Sequence, residues 1–160
     1  MYVLDTDTLS RLFAAHPRVL MRRNNVPSLD IAITIVTRIE ILQGRFDFLF
    51  KAATGEDLLR AQFWLDKTIQ DLALVETVIA MAPAAAAEFD RLRQYKKLKK
   101  IGRGDLLIAA ITLANRAILV TSNWKDFRQV RACKSKTGPT NVATCVIVTD
   151  YAGRPNFCRS

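Results

Sequence analysis

Residues 2–9 read YVLDTDTL, and this stretch sets the pattern for the rest of the chain. A short apolar, β-prone run at residues 2–4 is followed at once by Asp5-Thr6-Asp7-Thr8, residue types that favour helix N-caps. Apolar residues then recur at helical spacing from Leu9 to Phe13. The stretch therefore predicts a strand, a tight turn and a helix.

The same alternation continues along the chain. Thr54 and Asp57 are spaced like a capping box, so a helix is expected to begin there and to pair with the preceding helix as a hairpin. Alternating strands and helices imply parallel βαβ units and a sheet covered on both faces. We predict further strands at residues 31–35, 72–75, 118–120 and 142–149, and helices from Thr34 or Thr37 to Phe50, from Thr54 to Asp71, from Pro83 to Leu98 and from Asp105 to Asn115.

Composition favours one globular domain. The chain has 160 residues, of which 50% are hydrophobic and 24% are charged. It contains no apolar run long enough to span a bilayer and no signal-peptide pattern near Met1, so we expect a cytoplasmic protein without a membrane partner. The expected domain covers residues 1–150, with a C-terminal tail at 151–160 and a polar loop at 133–141.

Cysteine and histidine usage restricts the chemistry. The odd number of cysteines and the absence of a C-x-x-C spacing argue against a disulfide framework, and a single histidine argues against a zinc site. The formal net charge of +9 instead indicates attraction to a polyanion. The cysteines are Cys133, Cys145 and Cys158.

Acidic residues follow three of the predicted strands. Asp5 ends the first, Glu40 opens the helix after the second, and Asn123 to Asp126 follow the strand at 118–120. Because ligands bind beyond the carboxyl ends of parallel strands, these residues are expected at one edge of the sheet. Asp105 follows a glycine-flanked break at residues 102–104, which suggests close backbone approach at this position.

Acids that lie close together favour the binding of a cation. Carboxylates a few ångströms apart resist joint ionisation, and a hard divalent cation resolves that conflict. Water bound to such an ion is deprotonated more easily, and phosphoryl oxygens are polarised. Together with the net charge of +9, this chemistry predicts hydrolysis of phosphate esters in nucleic acid.

Each acid also has a structural interpretation at a helix terminus. Asp7 is expected mainly as an N-cap. Residues from Thr6 to Thr8 could cap the first helix as well as Asp5 could, so a functional role is favoured for Asp5. Glu40 and Asp105 suit the first turns of their helices, although function is favoured for both. Asn123 and Asp126 are spaced like a capping box, so both capping and function stay open for them.

Taken together, four motifs resemble those of PIN-domain ribonucleases, and in particular the VapC-like toxins of type II toxin–antitoxin pairs. Any one motif is weak, but the order and spacing of all four are specific. The resemblance covers residues 1–131. The motifs are VLDTDTL at 3–9, TRIEILQG at 37–44, IGRGDLLIAA at 101–110 and LVTSNWKDF at 119–127.

The resemblance implies a three-layer α/β/α fold with a mostly parallel sheet, Mg²⁺ or Mn²⁺ as cofactor, endonucleolytic RNA cleavage, a homodimer, and an inhibitory antitoxin partner. Its motifs assign metal binding to Asp5, Glu40 and Asp105. They assign supporting hydrogen bonds to Thr6 and Thr121, and completion of the site to Asn123 or Asp126.

Two departures from the family pattern stand out. Position 7 is usually Asn in these toxins, and here Asp7 adds a charge to the supporting residues. After Val130 the chain carries a basic loop and a longer C-terminal extension in place of the usual short ending. These departures put the C-terminal fold in question and leave the four motifs intact.

Two surface features have less specific interpretations. Lys99, Lys100, Arg103 and Lys125 are candidates for binding RNA phosphates, although a run of charges also suits a solvated face. The aromatic cluster at residues 46–50, FDFLF, is interpreted as core or as an interface with an antitoxin or a second subunit.

Two rival functions remain at this point. Residues 5–8 also fit the D-x-D-x-T opening of haloacid-dehalogenase-like phosphatases, in which Asp5 would be the nucleophile. The order of motifs in this chain does not match that family. Gly104-Asp105 would be the later, metal-binding motif but precedes Thr121, and Ala109 stands where another acid is expected. A non-catalytic RNA- or protein-binding module explains the charge but treats the ordered acids as coincidence.

Overall fold

The computed structural model describes residues 1–131 and 147–148 and shows a parallel sheet between helices. Each pair of neighbouring strands runs parallel, in the order β3-β2-β1-β4-β5. The predicted α/β class is thereby confirmed. The strands are β1 (Tyr2–Leu4), β2 (Ile31–Thr34), β3 (Thr77–Ile79), β4 (Ile118–Thr121) and β5 (Ile147–Val148).

Helices connect these strands, and short 3₁₀ turns at Ser28–Asp30 and Lys96–Lys100 complete the described elements. Thr34, rather than Thr37, caps the helix after β2, since its hydroxyl accepts the backbone N–H of Thr37 at 3.0 Å. Thr54 caps the next helix, as predicted. The helices are α1 (Thr6–Phe13), α2 (Pro17–Asn24), α3 (Ile35–Phe50), α4 (Gly55–Ala73), α5 (Pro83–Arg93), α6 (Arg103–Ala114) and α7 (Trp124–Arg131).

The sheet separates two hydrophobic layers, because alternate residues of a strand point to opposite faces. Val3 of β1 is in register with Ala32 and Leu119, and all three pack with the buried side chains of α5 and α6. Leu4 is in register with Ile33 and packs on the other face with residues of α1 and α4. This arrangement confirms the three-layer α/β/α fold.

The third strand was predicted at the wrong position. Residues 72–74 belong to the end of α4 and its C-cap, Val75 follows the cap, and β3 is formed by Thr77–Ile79. Leu72 reaches the core from the last turn of the helix, where it is 5% exposed. Its burial therefore requires no strand, and the β-branched residues a few positions later pair with β2 instead.

The helix predicted from Pro83 to Leu98 ends earlier, at Arg93. Leu92 and Leu98 are both buried, at 0% and 1% exposure. Residues six apart lie on different faces of a continuous α-helix, so the change to a 3₁₀ turn lets both side chains reach the core. The following helix, α6, begins two residues earlier than predicted and ends one residue earlier.

Helices α3 and α4 pack against each other, as expected for the predicted hairpin. The aromatic cluster on α3 lies on the surface: Phe46 and Phe48 are each 43% exposed and Phe50 is 83% exposed. Leu59 and Phe63 of α4 add further exposed apolar area. The interpretation of Phe46, Phe48 and Phe50 as core residues is wrong, and an interface is the remaining one.

Several predictions fall outside the described residues. The loop at 133–141, the three cysteines, the tail at 151–160 and most of the strand at 142–149 lie there, and of that strand only Ile147–Val148 is described. The boundary of the domain at residue 150 stays a prediction. Among the helices of the described part, none is long and apolar enough to cross a membrane.

Candidate active site

Asp5 stands directly after β1 and is the most deeply placed of the predicted acids, with 3% exposure. Its Oδ1 accepts the backbone N–H of Thr8 at 2.7 Å, and its carboxylate also hydrogen-bonds the side chain of Thr121. Burial raises the pKa of Asp5, and these hydrogen bonds oppose that rise only in part. Asp5 is thus a desolvated carboxylate in a fixed orientation.

The capping of α1 differs from the prediction. Asp5 itself is the N-cap, whereas Asp7 lies exposed in the first turn of the helix. The hydrogen bond that fixes Asp5 is therefore the cap of α1 as well, so its structural and functional interpretations coexist. Thr8, which sequence reasoning did not single out, is buried and supplies this contact. Its spacing three residues after Asp5 was the available signal.

Glu40 lies in the second turn of α3, one turn later than expected, because the helix begins at Ile35. The hydroxyl of Thr6 donates a hydrogen bond to Oε2 of Glu40. This contact joins the start of α1 to α3 and brings the two acidic segments together. The predicted supporting contact of Thr6 is therefore directed at Glu40.

Gly104 allows Glu40 to approach the start of α6. A Cβ atom placed on Gly104 would lie 1.7 Å from Oε1 of Glu40, closer than any non-bonded contact permits. A Cβ on Gly102 would lie 3.6 Å from Oδ2 of Asp105, an ordinary van der Waals distance. The close approach predicted at these glycines thus occurs at Gly104, and the approaching group is a carboxylate.

Asp105 is the third residue of α6 and is partly buried. Burial raises its pKa to about 6, and the negative charges of Glu40, Asp126, Asp5 and Asp7 act in the same direction. The negative charge of every other acid in the four sequence motifs therefore acts on Asp105. Their negative charges add to the effect of burial on its carboxylate.

Asn123 connects Asp105 to the segment after β4. Its side-chain amide donates to Oδ2 of Asp126 at 2.9 Å and makes a longer contact of 3.4 Å with Oδ2 of Asp105. The backbone N–H of Asn123 donates to Thr121 at 2.9 Å. Since Thr121 also hydrogen-bonds Asp5, a chain of polar contacts links Asp5 to Asp126.

The donor set of this edge suits a hard divalent cation. Its oxygen atoms come from carboxylates, threonine hydroxyls and an amide, which are the ligand types of Mg²⁺ and Mn²⁺. Within residues 1–131 and 147–148, no group of three or more Asp, Glu, His or Cys side chains is placed so that it could hold a metal ion. Mg²⁺ usually retains several waters and binds through one or two carboxylates, so the oxygen donors of this edge fit such an ion without a group of three acids. The assignment of metal binding to Asp5, Glu40 and Asp105 stays a prediction.

The predicted phosphate-binding residues are less closely grouped. Lys99 and Lys100 are exposed in the 3₁₀ turn that leads to α6, and Arg103 is exposed at the first position of that helix. The Cζ atom of Arg103 lies 5.9 Å from the ring centroid of Phe89. The side chain of Lys125, in α7, lies outside the described part of the structure.

A family model for the PIN domain matches residues 2–132. The chain belongs to the PIN-domain family. The resemblance inferred from the four motifs is thereby confirmed for the family. In this PIN domain the motifs supply Asp5, Glu40, Asp105 and the segment from Asn123 to Asp126, all at one edge of the sheet.

Several solved structures share the fold of this PIN domain. VapBC2 from Rickettsia felis, bound to a promoter DNA fragment, matches with a TM-score of 0.65 and 21% identity over 94% of this chain and 98% of that chain. FitAcB from Neisseria gonorrhoeae matches with a TM-score of 0.65 and 20% identity over 96% and 100% of the two chains. VapBC-1 from nontypeable Haemophilus influenzae matches with a TM-score of 0.60 and 21% identity over 94% and 98%. No curated protein matches the chain.

Proposed function

We propose that this PIN domain is a metal-dependent endoribonuclease and the toxin of a toxin–antitoxin pair. The observation that carries the proposal is the environment of Asp105. Its pKa is raised to about 6 by burial and by four neighbouring carboxylates, which is an unfavourable arrangement for a protein without a cation at this position. A divalent cation turns that repulsion into binding free energy.

In this proposal Asp5, Glu40 and Asp105 hold Mg²⁺ or Mn²⁺. The bound ion lowers the pKa of water and polarises the scissile phosphodiester. Thr6 keeps the carboxylate of Glu40 in place, and Thr121 does the same for Asp5. Rigid orientation of this kind matters because small misplacements of reacting groups cost large factors in rate.

Asn123 and Asp126 complete the site together rather than as alternatives. The amide of Asn123 bridges the carboxylates of Asp105 and Asp126, so it separates two like charges with a neutral donor. In the metal-loaded site Asp126 would be the residue that accepts a proton, whereas Asp105 would help to hold the cation. Asp7, exposed in the first turn of α1, adds negative charge that favours cation binding.

RNA is the polyanion that we assign to the net charge of +9. Four basic residues lie close to the acids in the sequence, and we assign them to the phosphates of the bound strand. They are Lys99, Lys100, Arg103 and Lys125. Phosphate contacts supply most of the sequence-independent affinity for nucleic acid. We assign the protein to the cytoplasm, where such a substrate is present.

An antitoxin partner is supported by the fold neighbours of the VapBC family, which is a family of toxin–antitoxin systems. The exposed apolar side chains of α3 and α4, among them Phe50 at 83% and Leu59 at 72% exposure, are a surface that a protein partner would cover. A homodimer is part of the same proposal. Sedimentation of the purified protein, alone and with its antitoxin, tests both assemblies.

Cleavage of total cellular RNA by the purified protein tests the activity. With Mg²⁺ we expect discrete fragments, and with EDTA none. Asp5→Asn and Asp105→Asn should each reduce cleavage at least ~100-fold, because a neutral amide binds the cation more weakly. Asp47→Asn removes an exposed carboxylate from α3 and should cleave like the wild type.

The same experiment separates the rival functions. Intact RNA together with metal-dependent hydrolysis of small phosphomonoesters would support a phosphatase in which Asp5 is the nucleophile. Intact RNA that is nevertheless bound, from folded protein free of inhibitor, would support a non-catalytic binding module. Either result would refute the ribonuclease.

A further inference from the structure

Residues 93–103, RQYKKLKKIGR, form a basic segment that ends two residues before Asp105. It joins the last residue of α5 to the first residue of α6 through the 3₁₀ turn at Lys96–Lys100. The basic segment contains no acidic residue. Its cations are Arg93, Lys96, Lys97, Lys99, Lys100 and Arg103.

The backbone of the basic segment is fixed by the core. Leu98 and Ile101 are 1% and 7% exposed and pack in the same hydrophobic cluster as α6. The N–H of Leu98 donates to the carbonyl of Tyr95 at 2.9 Å, and that of Ile101 donates to the carbonyl of Leu98 at 3.1 Å. The charged side chains therefore extend from an anchored turn, at a constant position relative to Asp105.

The ring of Phe89, in α5, contacts the two arginines at the ends of the basic segment. The Cζ atom of Arg93 lies 5.6 Å from the ring centroid of Phe89, and that of Arg103 lies 5.9 Å from the same centroid. Guanidinium groups are attracted to the face of an aromatic ring. One ring thus brings together two positive charges that are ten residues apart in the chain.

Neither guanidinium is neutralised by an acid within residues 1–131 and 147–148. The ion pairs of this part of the structure include those of Arg60 with Glu56, Lys67 with Asp71, and Arg91 with Glu88. Arg93 and Arg103 are both exposed, so their donor groups are open to a ligand. Two like charges on one ring, without a carboxylate partner, are an arrangement that an anion would stabilise.

We propose that Arg93 and Arg103, both held against Phe89, bind a phosphate group of the nucleic-acid backbone next to the acidic site. The inference rests on the proposed function for the identity of the ligand as RNA. Arginine presents a planar fork of donors that matches phosphate oxygens, whereas the lysines of the basic segment contribute mainly long-range attraction. The pair thereby sets the position of the strand relative to Asp105.

RNA binding in EDTA tests this proposal without any need for cleavage. The probe is a fluorescently labelled single-stranded RNA, and its anisotropy is followed at several salt concentrations. Arg93→Gln should weaken binding about 5-fold and lower the slope of log K against log salt by about 0.7, the value for one phosphate contact on a single strand. Arg103→Gln should have a similar effect.

Two variants distinguish the effect of the Arg93–Arg103 pair from the effect of net charge alone. Arg116→Gln removes an exposed arginine just beyond the other end of α6 and should change binding less than 2-fold. Phe89→Leu leaves the net charge unchanged and should still weaken binding about 3-fold, since the guanidinium groups lose their common ring. Circular dichroism confirms that each variant is folded.

Equal weakening by Arg93→Gln and Arg116→Gln, or unchanged binding by a folded Phe89→Leu variant, would overturn the proposal. A wild-type protein that does not bind the RNA probe would overturn it as well. Binding in EDTA without cleavage in Mg²⁺ would refute the ribonuclease and leave the phosphate site supported. The failure of one proposal is therefore distinguishable from the failure of the other.

Discussion

The acidic edge of the sheet and the neighbouring basic segment carry opposite charges and are built in opposite ways. Asp5 is 3% exposed, and its orientation is fixed by hydrogen bonds from Thr8 and Thr121. Arg93 and Arg103 are exposed, and their guanidinium groups lie over the ring of Phe89. Desolvated like charges are costly and favour a tightly bound cation, whereas solvated charges act over a distance and are screened by salt.

This comparison suggests a division of roles between the two regions. Geometry at the acidic edge should control the chemical step, since its carboxylates have fixed partners. Charge and aromatic contact in the basic segment should control affinity for the strand. Changes to one region should therefore affect the rate and the affinity separately.

The strongest test of this division within the acidic edge is Gly104→Ala. The new Cβ would lie 1.7 Å from Oε1 of Glu40, so the flexible carboxylate must move away from Thr6. We expect cleavage to fall about 30-fold with unchanged RNA binding, because misplaced metal ligands reduce activity by such factors. Stability should not fall, since alanine favours the helical conformation over glycine.

Gly102→Ala is the matched control for this variant. Its Cβ would meet Oδ2 of Asp105 at 3.6 Å, an ordinary contact, so activity should stay within about 3-fold of the wild type. Comparable losses in both variants would show that the start of α6 tolerates no side chain at all. The specific role of the Glu40 contact would then be refuted.

A smaller effect is expected from Thr6→Val, which removes the hydroxyl that donates to Glu40 and keeps the shape of the side chain. Cleavage at saturating RNA should fall about 10-fold, since groups that orient a metal ligand typically contribute 10- to 100-fold. Thr6→Ser retains the donor and should restore most of the activity. If valine and serine behave alike in single-turnover kinetics, the hydrogen bond has no role in catalysis.

The smallest effect concerns stability in the absence of metal. The folded-state pKa of Asp105 is about 6, above its ordinary value of 3.8, so the native protein binds this proton more tightly than the unfolded chain. The contribution of Asp105 to stability therefore decreases as pH rises from about 4 to about 6, and the full penalty is present above pH 6. Asp105→Asn removes that penalty.

In EDTA at pH 7, Asp105→Asn should raise the free energy of unfolding by about 1 kcal/mol, a value reduced for solvent screening of a partly buried group. The difference between variant and wild type should disappear near pH 4, where the aspartic acid of the native state is protonated. Urea denaturation at both pH values measures it. A variant that is less stable than the wild type at pH 7 would contradict the repulsion between the acids.

Much of the fold follows from local sequence patterns. The short, β-prone runs of β1, β2 and β4 and the capping residues Thr34 and Thr54 act within a few positions of the chain. The helix and strand boundaries at residues 72–79 and 93–100 do not follow from local patterns, because they depend on which side chains reach the core. Leu72 and Leu98 do so from a helix end and a 3₁₀ turn.

The site shows the same limit. The motifs predict Asp5, Glu40 and Asp105 as site residues. Asp5 and Glu40 follow strands of a parallel sheet, whose carboxyl ends meet at one edge. The contact between Glu40 and Gly104, and the gathering of Arg93 and Arg103 by Phe89, depend on the packing of α5 and α6 with the rest of the domain. No short-range pattern encodes such contacts between distant segments.

Calorimetric titration with Mn²⁺ at pH 7 tests the central claim most directly, since it measures binding to the acids without RNA. The account predicts saturable binding to the wild type, unchanged binding to Asp47→Asn, and at least ~10-fold weaker binding to Asp105→Asn. The exposed Asp47 of α3 controls for the loss of one negative charge. Absence of binding to the wild type, or equal affinity in all three proteins, would contradict the account.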